Sequence, residues 1–125
     1  MGCAVALAVL DAVEGEGLEE NVRVVGDHLR AGLEGIQQRH ADKIEAVRGL
    51  GFMVGAVLKD DVVAHRRDPA LAPSGALVAA LHERGMLTVP AGTNVVRFLP
   101  ALNTGKADID EALDILEEGV KSLSA

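Results

Sequence analysis

The sequence predicts an α+β domain in which a small, mostly antiparallel sheet of about four strands packs against helices. Three observations point there. Apolar residues recur at helical spacing across residues 18–39. Two short apolar runs, 43–50 and 52–59, meet at the paired glycines of Gly49-Leu50-Gly51. A further helical segment leads into a second pair of short runs, 86–89 and 95–99, divided by a turn at 90–94. The order is α-α-β-β-α-β-β-α, and 125 residues make one domain, 1–125, with room for a core.

Residues 3–13 are good helix formers and valines, with no polar face before Asp11 and Glu14. A helix apolar all round calls for burial on several sides. It is either a core helix of this small domain or one whose covering surface lies outside the chain. Gly15-Glu16-Gly17 breaks it. The second helix carries Leu18, Val22, Val25, Leu29, Leu33 and Ile36 on one stripe, although Gly26, Gly32 and Gly35 each weaken it by up to about 1 kcal/mol. Packing must therefore hold it.

In the second strand Gly55 marks a bulge or a close backbone approach. Residues 60–72 read as an irregular loop, and His65-Arg66-Arg67 within it as a solvated charge cluster. Pro73-Ser74 opens a helix through Arg84, with Leu77, Val78 and Leu81 inward and Gly85 as its stop. The last helix starts near Thr104 or Gly105, places Asp108, Asp110 and Glu111 in its early turns, and buries Ile109, Leu113, Leu116, Val120 and Leu123.

The run 95–99 holds the most informative residue. Strand side chains alternate, so Val95, Arg97 and Leu99 share one face while Val96 and Phe98 share the other. A guanidinium on an apolar face cannot shed its charge, so Arg97 needs a carboxylate or a route to water. That carboxylate is supplied by this chain, as a structural ion pair, or by a ligand. Arg48, before two glycines at a strand end, reads as a structural ion pair or a carbonyl-binding residue.

Composition excludes several functions. A net charge of -7, no Trp or Tyr and two Phe leave little for nucleic acid to bind or stack on. The apolar run 3–10 is too short to span a membrane and lacks the basic flank of a signal peptide, so a cytoplasmic location is expected. Ala6 stands where a myristoylation pattern wants Ser or Thr. Cys3, the single cysteine, permits no intrachain disulfide and reads as an inert packed thiol. His28, His40, His65 and His82 show no metal-ligand spacing. Arg48-Gly49-Leu50-Gly51 runs into a strand rather than a helix, so it is no phosphate cradle. Ser74, Ser122 and Ser124 lack a nucleophile-elbow setting, and Lys43, Lys59, Lys106 and Lys121 sit at element edges beside acidic residues. No complete catalytic apparatus is present in the sequence.

Three stretches together resemble one family. Cys3-Ala4-Val5-Ala6-Leu7-Ala8-Val9-Leu10-Asp11 is similar to the segment leading into the C-terminal domain of class III pyridoxal-phosphate aminotransferases. Val47-Arg48-Gly49-Leu50-Gly51-Phe52-Met53-Val54-Gly55 resembles that domain's glycine-punctuated signature. Pro90-Ala91-Gly92-Thr93-Asn94-Val95-Val96-Arg97-Phe98-Leu99-Pro100, followed by Leu102-Asn103, looks most like the acetylornithine branch. Gly105, where relatives often carry a Ser or Thr cap, and residues 59–72 depart from the pattern.

The resemblance implies the small C-terminal domain of such an enzyme. The large domain, with its aldimine lysine, phosphate cup and ring-stacking residue, would be a separate part of the same protein. Pyridoxal 5'-phosphate would belong to the full-length enzyme, a homodimer, and none is expected on this chain. The reaction implied moves an amino group between N-acetylated ornithine and 2-oxoglutarate, in arginine biosynthesis. Arg97 matches the arginine that receives the substrate's α-carboxylate. The isolated chain is expected to be inactive, with no catalytic, cofactor-binding or metal-binding residue of its own. Two other classes remain open: a freestanding small-molecule regulatory module with Arg97 gripping a carboxylate, and a structural homo-oligomer that hides the N-terminal helix against its copy.

Overall fold

The computed structural model describes residues 1–64 and 71–124. The helices are α1 (Gly2–Gly15), α2 (Leu18–Arg39), α3 (Pro73–His82) and α4 (Lys106–Lys121). The strands are β1 (Ile44–Leu50), β2 (Met53–Leu58), β3 (Val63–Ala64), β4 (Val89–Pro90), β5 (Val95–Phe98) and β6 (Leu123–Ser124). β1, β2, β5 and β4 lie side by side in that order, every pair antiparallel, and β3 pairs with β6 in a separate two-stranded ribbon. The expected α+β class with its four-stranded sheet is what the chain forms.

One face of the sheet is the core face. Ala56, Val96 and Phe98 meet Leu29, Leu33 and Ile36 of α2, Leu77 and Leu81 of α3, and Ile109, Leu116 and Val120 of α4 in a single buried cluster. Helix α2 starts after Gly17, whose φ of +63 suits glycine, and places Glu19 and Glu20 in its first turn, where the helix dipole favours them. At α4 the Asp108 carboxylate accepts a 3.0 Å bond from the Gly105 N–H. That contact is the N3 half of a capping box, satisfying the cap residue's N–H; Gly105 has no side chain to supply the other half. Past α3 the chain reverses at Gly85, at φ +83, and the Met86 N–H returns to the Leu81 carbonyl at 3.0 Å.

Several expectations need correction. Helix α1 exists but buries no residue, which removes the core-helix reading: Val5, Leu7, Val9 and Leu10 all stand more than half exposed. Cys3 is exposed with it, not packed. The register irregularity falls in β1, between Ile44 and Ala46. Gly55 instead marks a close approach, since a Cβ there would lie 3.0 Å from Val95 Cγ1. Residues 86–88 are not strand; β4 begins at Val89 and includes Pro90, which was expected in the turn. β4 is an edge strand, where a missing N–H is tolerated. Helix α4 ends at Lys121, and buried Leu123 belongs to β6, paired with the β3 strand inside the expected loop. The cluster His65-Arg66-Arg67 lies outside the described residues.

Candidate functional site

Arg97 lies in the middle of β5, and the alternation read from the sequence holds. Val96 and Phe98 are buried in the core while Arg97 and Leu99 are exposed on the opposite face. The pairing extends that face across the sheet. Arg48 of β1 stands opposite Gly55 of β2, Gly55 opposite Arg97 of β5, and Arg97 opposite Val89 of β4. Directly paired residues project to the same side of a sheet, so Arg48 and Arg97 flank Gly55 on one open face. Around them Leu50, Met53, Val89 and Leu99 are exposed apolar side chains. Helix α2 borders this face, where Val22, Arg23 and Asp27 share a recess with Leu50, Met53 and Leu99.

Both ends of β5 are fastened. Before it, the Ser74 hydroxyl, on a residue only 2 % exposed, donates to the Gly92 carbonyl at 2.8 Å, and the Ser74 N–H donates to Thr93. The Leu58 N–H donates to the Asn94 carbonyl at 2.6 Å. After the strand, the Asn21 side-chain amide donates to the carbonyls of Leu102 (2.7 Å) and Thr104 (3.0 Å). Helix α2 thus holds the exit loop and α3 holds the entry turn. Reading the sequence found neither Asn21 nor the use of Ser74, because their partners are backbone carbonyls 81 and 18 residues distant.

The arginines divide into two groups. Arg23 pairs with Glu20, Arg30 with Glu34 and Arg39 with Glu117, and Arg84 donates to the Ala80 carbonyl. The side chains of Arg48 and Arg97 have no hydrogen bond or ion pair among the described residues. Among the described residues no carboxylate pairs with Arg48, read as a structural ion pair or a carbonyl-binding residue, and none pairs with Arg97. Arg97 is exposed on an apolar surface, with no partner for its charge among the described residues. A planar fork in that setting suits one task well: accepting a carboxylate along two parallel N–H···O bonds.

The described residues do not fit a pyridoxal phosphate site. Lys43 donates to the Val120 carbonyl at 3.2 Å and Lys121 is held by Glu118 at 2.8 Å. Lys59 is half-buried and Lys106 exposed at the start of α4. Among the described residues no group of three or more His, Cys, Asp or Glu could hold a metal ion, and no helix is long and apolar enough to cross a membrane.

The chain is similar to known proteins in both sequence and fold. A family model described as aminotransferase class-III matches residues 1–120. The acetylornithine aminotransferase of Nostoc sp. is 37% identical over 123 residues, covering 98% of this chain and 27% of the relative. The crystal structure of acetylornithine aminotransferase from Elizabethkingia anophelis superposes with a TM-score of 0.82 at 28% identity, over 95% of this chain and 28% of that one. A phospholyase from Arthrobacter in complex with phosphoethanolamine matches with a TM-score of 0.81 at 33% identity, over 94% of this chain and 28% of that one. The chain spans about 27% of the length of the curated relatives it matches.

Proposed function

We propose that this chain, which belongs to the class-III aminotransferases, is the small C-terminal domain of an acetylornithine-type enzyme and that its Arg97 receives the substrate's α-carboxylate. One observation carries the reading: an exposed guanidinium, unpaired among the described residues, at the centre of an apolar sheet face, while Arg23, Arg30, Arg39 and Arg84 are spent on partners. Relatives such as the Nostoc sp. protein, named acetylornithine aminotransferase, support the choice of substrate.

The chemistry assigned to this chain is positioning. A guanidinium stays charged at every pH the protein meets, so Arg97 holds a carboxylate without taking or giving a proton. Two parallel bonds fix the plane of the carboxylate as well as its distance, which orients the neighbouring α-carbon and its amino group. The apolar rim of Leu50, Met53, Val89 and Leu99 thins the water around the pair and strengthens it. Because β5 is tied through Ser74 and Asn21, the fork sits on a fixed strand rather than a loose loop.

Pyridoxal phosphate supplies the electron sink in this class of reaction. Its lysine, its phosphate cup and the large domain that carries them are assigned to the part of the enzyme outside this chain, as is pairing into a homodimer. The isolated chain should therefore show no transaminase turnover and no aldimine absorbance with the cofactor.

The test is kinetic. In the complete aminotransferase carrying this domain, Arg97→Lys and Arg97→Ala should raise KM for N-acetylornithine and lower kcat/KM by roughly 10- to 100-fold, the worth of a charge-assisted bidentate bond. Unchanged kcat/KM in both variants would contradict the role given to Arg97.

A further inference from the structure

We infer that the outer edge of β1 is a pairing surface for a second copy of this chain, held shut by Arg30 and Gln37 of α2. The four-stranded sheet ends on two very different strands. β4 is two residues long and contains Pro90, so it offers little to a further strand. β1 runs for seven residues and has only β2 beside it in the sheet. Every second residue of an antiparallel strand turns its N–H and C=O away from the neighbouring strand. The two-residue turn at Gly51-Phe52 makes Leu50 and Met53 the bonded pair that closes the hairpin, so Gly49 and Val47 face outward. An edge of this length is a template for another chain.

Helix α2 occupies the acceptors of that template. Arg30 Nη1 donates to the Gly49 carbonyl at 3.0 Å, and Gln37 Nε2 donates to the Glu45 carbonyl at 2.8 Å. Arg30, Glu34 and Gln37 stand at i, i+4 and i+7, so one face of α2 lies along the edge. Glu34 accepts from Arg30 Nε at 2.9 Å and aims the guanidinium. These two carbonyls are the ones that a twofold copy needs. When two β1 strands run antiparallel with Val47 opposite Val47, Glu45 of one copy faces Gly49 of the other. Both flanking acceptors are then already taken, and only the central Val47 pair is left to form. The register irregularity between Ile44 and Ala46 is a second obstacle, since a bulge bends an edge away from a flat partner.

Amide hydrogen exchange at Val47, read at low and high protein concentration, tests this on a double variant carrying Arg30→Ala and Gln37→Ala. Alanine caps no carbonyl, so both acceptors are released. The variant should form a dimer in which the Val47 N–H gains protection as concentration rises. Its dissociation constant should fall on the order of 100-fold below that of the native chain, because two caps on each copy no longer have to break. Arg23→Ala on the same helix removes only the pair with Glu20 and should behave as the native chain does. Each single variant should show a weaker form of the same response, and the singles carry the test if the double variant does not fold. A folded variant whose Val47 exchange matches the native chain at every concentration overturns the inference. So does association that leaves Val47 unprotected, which would place the contact elsewhere, on a surface such as the exposed face of α1. Equal concentration-dependent protection of Val47 in the native chain overturns it too, since the edge would then be open.

Discussion

Gly26 on α2 lies against Gly51 in the β1–β2 turn so closely that a Cβ on Gly26 would stand 2.8 Å from the Cα, carbonyl carbon and carbonyl oxygen of Gly51. Gly51 itself has φ +55 and faces Val22 of the same helix. The turn that follows Arg48 is thereby pressed onto α2, with Arg30 Nη1 donating to the Gly49 carbonyl at 3.0 Å as a second tie. Backbone meets backbone here, and neither side has a rotamer to yield.

Gly26→Ala should therefore destabilise the domain by about 1–3 kcal/mol, despite the better helix propensity of alanine. Gly35→Ala on the same helix meets only the flexible Arg39 Nη1 at 3.4 Å and should be neutral or stabilising, by up to about 1 kcal/mol. Urea unfolding of the two variants side by side measures the contrast.

Leucines on two helices should behave in opposite ways. Leu33 is 1 % exposed among the side chains of α2 and α4, and Leu33→Ala should cost about 2–5 kcal/mol. Leu7 on α1 is 62 % exposed, and Leu7→Ala should stay within about 0.5 kcal/mol. Thermal unfolding monitored by circular dichroism reads both.

Acid should unfold the protein partly through Glu117. The bidentate bond from Arg39, at 3.0 and 2.8 Å, with His40 adding a contact at 3.4 Å, holds the Glu117 carboxyl down from 4.5 to about 2. A carboxyl whose folded value is depressed gives stability that is complete above its unfolded value and is lost as pH falls through the folded one. The window here runs from about 4.5 down to about 2. Over that range the denaturant midpoint of the native chain should fall more steeply than that of Glu117→Gln. High salt should narrow the gap, because Arg39 is more than half exposed.

Much of this architecture is legible in the residues, for identifiable reasons. The six apolar positions from Leu18 to Ile36 fix α2 because helical periodicity is a local signal, and its bounds fall at Leu18 and Arg39 as expected. The outward placement of Arg97 follows from strand alternation alone. That Arg48 and Arg97 flank Gly55 in one row does not, since strand order and register are set by non-local pairing across β2. The β3–β6 ribbon escapes for the same reason: strands of two residues carry no periodicity. Pro90 misleads because proline signals a turn, yet an edge strand accepts it. Asn21 and Ser74 act on carbonyls, and a carbonyl leaves no mark in a sequence.

The central claim is that the Arg97 guanidinium is kept for a ligand and does nothing for the fold. Equilibrium unfolding of Arg97→Ala against the native chain tests it most directly, because the two roles diverge in that one number. The account predicts coincident denaturation midpoints, within about 0.5 kcal/mol of stability. A loss of about 2 kcal/mol or more, the scale expected on breaking a partnered charge, would show that Arg97 belongs to the scaffold and contradict the account.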